Sequence, residues 1–302
     1  MIKQVTVDEK NYYKRLDKFL RNNFSELKLG TIFMLIRKGN VKINGKKAKQ
    51  NETELFIGDD VQIFINDRLE DISRPEVPQF KPRYMDLKVL YEDEYIIAVD
   101  KPPKVSMHPG RSEEMVTLIE ALIFRASQEY EPHLVHRLDK HTSGVVVVAK
   151  TKQIARELTE IIMNRETDKY YIALLSKNLK NAKGTLNSIV DGKDAALEYT
   201  VENVYKNLMG SFPLVSVHLL TGRKHQIRVQ FSQISSPVLG DDIYGDKDYN
   251  RQAKNLFGLK RYFLHSTRLC FNYKGRRYDI NSPLSNDLEQ VLEKVENMGG
   301  GA

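Results

Sequence analysis

The chain has one cysteine, Cys270, no tryptophan, and only short apolar runs such as Val145 to Ala149. A lone thiol excludes an internal disulfide and a multi-cysteine zinc site, and it fits a reducing compartment. The run from Val145 to Ala149 is far too short to cross a bilayer. The first ten residues hold neither a long apolar core nor a small-residue cleavage site, so they do not read as a secretory signal. A cytoplasmic protein without membrane contact is expected. Neither a P-loop nor a Gly-x-Gly-x-x-Gly fingerprint occurs, which leaves no nucleotide-cofactor site. His-Glu-x-x-His is missing as well. His133 and His136 are close in sequence, but without a further ligand nearby they read as loop histidines, and no metal is expected.

Acidic residues are scarce in one place. Positions 10 to 50 hold 12 Lys and Arg against two acids, Asp17 and Glu26, a local charge of +10 in a chain whose total is +7. The remainder is therefore slightly acidic. A basic segment joined to a near-neutral body suggests a polyanion-binding module attached to a larger domain. The length, 302 residues, also favours two domains.

The pattern along the chain agrees. Leu16, Phe19 and Leu20 stand at helical spacing, and Ile32, Leu35 and Ile36 do so again within a second helix, from Leu29 to Lys38, that Gly39 stops. Val41 to Gly45 reads as a strand entering an Asn-Gly turn, and Val61 to Ile65 as the strand that closes a small α/β unit. Positions 66 to 86 carry Pro75, Pro78 and Pro82 and no periodicity, as an interdomain linker would. From Leu87 onward, strands are expected at Leu87–Tyr91, Ile96–Val99, Ser143–Lys150, Tyr170–Leu175, Leu197–Tyr205, Pro213–Leu220 and Tyr262–Phe271. Helices are expected at Val116–Ser127, Ile154–Asn164 and Leu284–Val295. Many strands with few helices indicate an α+β domain built on a mixed, largely antiparallel sheet with flanking helices. The resulting division is 1–66, a linker 67–86, a large domain 87–297 and a Gly-rich tail 298–302.

The chemistry concentrates in His136-Arg137-Leu138-Asp139-Lys140-His141-Thr142-Ser143-Gly144. Here a carboxylate sits among cations at the mouth of a very apolar strand, where it should be held ionised. Such a group can serve as nucleophile or base, and it can equally be a structural salt bridge. Read without comparison, the residues leave that choice open.

This stretch resembles the signature of the RluA-type pseudouridine synthases. Further blocks follow in the family's order: Asp100-Lys101-Pro102 with His108-Pro109, Lys169-Tyr170-Tyr171, Thr221-Gly222-Arg223-Lys224-His225-Gln226-Ile227-Arg228, Gly240-Asp241 with Tyr244-Gly245, and Leu264-His265. The likeness covers about residues 87 to 295. It departs at Asp100, where the family usually has Asn, at Lys104, where it tends to have Gly, and at Asn272-Tyr273, where a Pro is common nearby. The N-terminal unit is similar to the alpha-L RNA-binding module of a small-subunit ribosomal protein and of tyrosyl-tRNA synthetases. It does so through Arg15-Leu16-Asp17, the helix from Ile32 to Gly39, Val41 to Gly45, and Gly58-Asp59.

The resemblance implies conversion of uridine to pseudouridine in structured RNA without a cofactor. Asp139 becomes the catalytic carboxylate, Arg228 its ion-pair partner, and Tyr171 the residue that stacks on the uracil and assists at ring carbon 5. Tyr170 points to the other face of its strand. Arg137 fills the gap left by the flipped base. His136, Lys169, Thr142, Arg223, His225 and Gln226 are expected to line the substrate site. Lys14, Arg15, Lys18, Arg37 and Lys38 are expected to meet phosphates. The alpha-L module favours large-subunit ribosomal RNA over tRNA as the partner, and a monomer is expected. The competing readings are a non-catalytic RNA-binding or ribosome-assembly protein and a metal-dependent hydrolase using His133 and His136.

Overall fold

In a computed structural model, all residues are described except 1, 10, 25, 26, 28, 66–79, 111–114, 208 and 299–302, together with the side chain of Leu29. The chain divides into two compact units, Met1–Gln79 and Phe80–Ala302. Most of the expected linker and tail lies outside the described residues.

In the first unit, β1 (Ile2–Thr6), α1 (Leu16–Asn23), α2 (Leu29–Arg37), β2 (Val41–Ile43), β3 (Lys46–Lys47) and β4 (Asp60–Phe64) form a four-stranded antiparallel sheet, order β1-β4-β2-β3, with two helices. The helical spacing of Leu16, Phe19 and Leu20, and of Ile32, Leu35 and Ile36, puts all six in one buried cluster with Val41, Val61 and Ile63. Asn44 and Gly45 both adopt positive φ, 51° and 79°, as a two-residue hairpin turn requires. Strand β1 is unheralded by the sequence because its residues alternate between exposed and half-buried and none is fully buried.

The second unit is an α+β domain on one ten-stranded sheet. Its elements are β5 (Lys88–Glu92), β6 (Ile96–Lys101), α3 (Leu118–Ala126), β7 (His133–Leu134), β8 (Ser143–Ala149), α4 (Lys152–Met163), β9 (Thr167–Leu174), β10 (Lys183–Val190), β11 (Lys193–Asn207), β12 (Gly210–Leu219), α5 (Gln226–Gln233), α6 (Lys247–Phe257), β13 (Leu264–Tyr273), β14 (Arg276–Asn281) and α7 (Asn286–Asn297). The main path runs β10-β11-β12-β9-β13-β8-β6-β5, with β14 beside β13 and β7 beside β8. Every pairing is antiparallel except β8 with β13.

Strand β8 is buried along its whole length, which explains its four consecutive valines. Successive side chains leave a strand on opposite faces. Val146 and Val148 accordingly pack with Tyr171, Leu197 and Val217, while Val145 and Val147 pack with Ile154, Leu158, Phe271 and Ile280. A third cluster joins α6 and α7 through Ala253, Phe257, Leu288, Val291 and Val295.

The parallel contact is unusually close. Gly144 has φ +113°, and a Cβ there would lie 2.1 Å from the Ser266 carbonyl oxygen, so only glycine fits where β8 meets β13. Lys104 has φ 67°, a left-handed conformation that glycine adopts at no cost. The family's glycine preference at that position thus has a backbone cause.

Candidate active site

Asp139 lies just before β8, in a turn closed by the Thr142 N–H donating to the Asp139 carbonyl at 3.0 Å. Its side chain is largely buried and lines a cavity of about 460 Å³. Arg137, Lys169, Tyr171, Arg223 and Arg228 line it as well, as do His136, Thr142, His225 and Gln226. One cavity therefore gathers every residue of the second unit that the sequence assigned to the site.

Two buried cations fix the turn from behind. Lys101, fully buried, donates from Nζ to the carbonyls of Pro102 at 2.9 Å, Val105 at 3.0 Å and Lys140 at 3.2 Å. Burial, with the nearby Arg261 charge, pulls its pKa down to about 7, and Asp139 and Asp100 work against that shift. Arg261 donates from Nη1 to the His141 carbonyl at 2.8 Å, from Nη2 to Ser143 Oγ at 2.9 Å, and from Nε to Asp287 Oδ2 at 2.7 Å. Lys101 appeared in the sequence only as part of a motif, and Arg261 not at all. A charged residue beside Tyr262 and Phe263 carries no signal that it will be buried.

Arg228 is buried in α5 rather than displayed on its surface. Its Nε and Nη2 donate to Asp241 at 2.6 and 2.9 Å. Its Nη1 is 3.5 Å from Asp139 Oδ2. The guanidinium also stacks on Tyr262, at 4.1 Å from the ring centre, and stands 5.1 Å from the centre of the Tyr244 ring. Burial alone would weaken the Arg228 charge, but Asp241, Tyr262 and Asp139 outweigh it and raise its pKa. His225, at the left-handed position that opens α5, brings Nε2 to 3.7 Å from Asp139 Oδ1. Its Nδ1 lies 3.0 Å from Tyr244 Oη. Burial lowers the His225 pKa.

Adjacent tyrosines on β9 diverge. Tyr171 is buried on the cavity side, and burial together with the Asp139 charge pushes its hydroxyl up to about 12. It is a neutral phenol at physiological pH. Tyr170, on the opposite face, stacks on His218 with ring centres 4.7 Å apart. Lys169 shares the Tyr171 face, where burial lowers its pKa, and it has no ion-pair partner among the described residues.

Three expected substrate contacts also have structural duties. The His136 Nε2 accepts the Val147 N–H at 2.9 Å, and burial drives its pKa down to about 3, so the ring is neutral and braces β8. Gln226 accepts from Thr221 Oγ1 at 2.7 Å and the Arg223 N–H at 3.0 Å, and donates to the Ala196 carbonyl and Gln230 Oε1. Its hydrogen-bonding capacity is spent on the turn before α5. Thr142 is buried, with Oγ1 3.3 Å from Tyr262 Oη. Arg223 gives Nε to the Asp194 carbonyl at 3.0 Å. Arg137 is exposed at the cavity rim.

The first unit sorts its expected phosphate contacts into two groups. Lys14 pairs with Glu54 at 3.0 Å, and Arg15 pairs with Asp17 at 2.9 Å and Glu52 at 3.1 Å. Lys18, Arg37 and Lys38 are exposed and without an ion-pair partner among the described residues. Also among the described residues, no group of three or more His, Cys, Asp and Glu side chains is arranged to hold a metal ion, and no helix is long and apolar enough to cross a membrane.

Residues 95–233 match the RNA pseudouridylate synthase family. The ribosomal large subunit pseudouridine synthase C of Vibrio parahaemolyticus is 31% identical over 95% of this chain and 95% of its own length. The protein of the same name from Escherichia coli K12 is 32% identical over 97% of this chain and 96% of its own. Among solved structures, human RNA pseudouridylate synthase domain containing 4 superimposes with a TM-score of 0.57 at 24% identity, covering 69% of this chain and 92% of its own, a likeness of fold. With near full-length relatives at this identity, and with the signature carboxylate and arginine meeting in one cavity, the chain belongs to the RluA family of pseudouridine synthases, enzymes that isomerise uridine in RNA.

Proposed function

We propose that the protein makes pseudouridine in large-subunit ribosomal RNA and that Asp139 is its catalytic carboxylate. The observation that carries the role of Asp139 is its position in the cavity, with Arg228 Nη1 at 3.5 Å and Tyr171 in the same wall. The RNA class rests on the names of relatives that match over nearly their full length.

The target uridine leaves its stack and enters the cavity, at a cost of a few kcal/mol that Arg137 offsets by occupying the vacated position. Lys169 and Arg223 meet the phosphates around it. The Asp139 anion, held between Arg228 and His225, drives cleavage of the glycosidic bond. The uracil rotates within the cavity and its carbon 5 bonds to the ribose anomeric carbon. The proton on carbon 5 is lost to solvent, and nitrogen 1 gains one, so reactant and product are isomers and no co-substrate enters the balance. Tyr171, a neutral phenol, is a wall for the ring and a hydrogen-bond partner. A role as bulk base at neutral pH does not suit a hydroxyl with a pKa near 12.

The test is tritium release from RNA labelled at uracil carbon 5. Large-subunit rRNA should lose label with the wild type and not with Asp139→Asn, while bulk tRNA should lose none. Release from tRNA alone would overturn the assignment of substrate. Full release by Asp139→Asn would overturn the assignment of the carboxylate.

A further inference from the structure

Two carboxylates contend for one buried guanidinium, and they hold it unequally. Asp241 is fully buried and takes the Nε and Nη2 edge of Arg228 at 2.6 and 2.9 Å. Asp139 has only Nη1, at 3.5 Å. Asp241 is itself pinned: its Oδ1 also accepts the backbone N–H groups of Ile243 and Tyr244, each at 3.0 Å. Burial would raise the Asp241 pKa, but Arg228 and these two N–H groups overcome it and the net direction is down. It therefore stays ionised throughout the neutral range. The Tyr262 ring and the Tyr244 ring flank the guanidinium, leaving it little freedom to turn. Asn250 Nδ2 donates to the Asp241 carbonyl at 2.7 Å and fixes the backbone of this residue too.

A bidentate pair in a dry site is much stronger than a single long contact. Arg228 should thus behave as a fixed part of the Asp241 loop and only as a loose neighbour of Asp139. We propose that Asp241 is the positioning residue of the active site. By claiming two of the three Arg228 nitrogens it aims the third at Asp139 and prevents a closed bidentate pair between Arg228 and the catalytic carboxylate, whose oxygens stay uncommitted. A catalytic carboxylate locked in a bidentate pair would be a poor nucleophile and a poor base, because its lone pairs and its charge would be committed. The inference rests on the reading of Asp139 as the catalytic group.

Asp241→Asn removes the competing charge. Arg228 should then turn toward Asp139, and Asp139 should remain ionised to lower pH, having gained a cation and lost a neighbouring anion. The acid limb of the kcat/KM profile should move down by about one pH unit, and kcat should fall at least ~10-fold, as misplacement of reacting groups commonly produces. RNA affinity should change little, since Asp241 is buried. Asp241→Glu keeps the charge and displaces the guanidinium, so it should lower kcat while leaving KM and the acid limb near wild type.

The experiment measures thermal midpoint, RNA binding and the pH dependence of tritium release for wild type and both variants on large-subunit rRNA. If Asp241→Asn does not fold, Asp241→Glu alone decides. A folded Asp241→Glu with wild-type kcat overturns the proposal. So does a folded Asp241→Asn whose acid limb does not move, because a purely structural aspartate would lower activity without shifting that limb. If the wild type releases no tritium, the reading of function fails and not this inference.

Discussion

The two units of the chain carry positive charge in opposite ways. In Met1–Gln79, Lys18, Arg21, Arg37, Lys38, Lys46, Lys47 and Lys49 stand on the surface without an ion-pair partner among the described residues. In Phe80–Ala302, Lys101, Arg228 and Arg261 are buried, and carbonyls, hydroxyls and carboxylates occupy their N–H groups. An exposed cation works at a distance, through water, and salt screens it. A buried one is a strut whose loss leaves its partners stranded. Charge in the first unit should therefore set how firmly RNA is held, and charge in the second should set where the reacting atoms sit.

Substitutions can test this division in descending order of effect. Asp139→Asn should cost ~10⁴-fold or more in kcat, the scale seen when an enzyme loses its reacting group, with RNA affinity within about threefold of wild type. A large loss of affinity in a filter-binding assay would show that the second unit also does the holding. Next comes Arg261→Met. It leaves the His141 carbonyl and the buried Ser143 hydroxyl without their donor, while Asp287 is exposed to water, and should lower stability by roughly 1–3 kcal/mol, the cost of unsatisfied buried polar groups, read as a lower denaturant midpoint. The triple variant Lys18→Ala, Arg37→Ala, Lys38→Ala should reduce the slope of log affinity against log salt by up to about 2–3 units, near one per lost phosphate contact, at unchanged kcat. Lys14→Ala with Arg15→Ala should reduce it less, because acids of the same unit already neutralise those cations.

The effect that is smallest at pH 7, and grows only in acid, concerns His136. Its pKa is about 3 in the fold and should be near 6.5 when unfolded. Between those values the unfolded chain binds more protons, so stability must fall as pH drops from about 6.5 toward 3, by up to about 1.4 kcal/mol per pH unit. His136→Gln, which can still accept from Val147, should remove that part of the slope. Denaturant midpoints for both proteins at pH 7, 6, 5 and 4 would reveal it, and parallel curves would refute it.

Apolar spacing made most of the scaffold legible. Val145 to Val148 and the spacing of Ile154 and Leu158 announced their elements because burial of apolar side chains produced those patterns, and the Asn44-Gly45 turn did so through the positive φ both residues adopt. Strand β10 exposes every other residue and offers no apolar run. Helix α6 buries only Ala253 and Phe257, and its clearest marks were the Asp246 cap and Gly258. Helix α5 buries Gln226, Arg228 and Gln230 beside Ile227 and Phe231, so its inward face is largely polar and hydrophobic periodicity cannot find it. The site followed the same rule. Asp139, Arg228 and Tyr171 stood out through motif resemblance, whereas Arg261 and the grip of Asp241 on Arg228 depend on contacts between distant segments. Nothing in the sequence signalled that His136 Nε2 accepts the Val147 N–H, or that the Gln226 amide bonds Thr221, Arg223, Ala196 and Gln230.

Strand β13 lies between β8 and β9, and pairs with β8 through the one parallel contact in the sheet. Until it arrives, the sheet is two halves: β5, β6 and β8 beside the turn of Asp139, and β9 to β12 with Tyr171. A chain emerging from a ribosome would display its charged first unit early and Asp139 midway, yet could not complete the cavity until this late strand had been made and inserted. The order of synthesis thus completes the basic first unit before the cavity of the second exists.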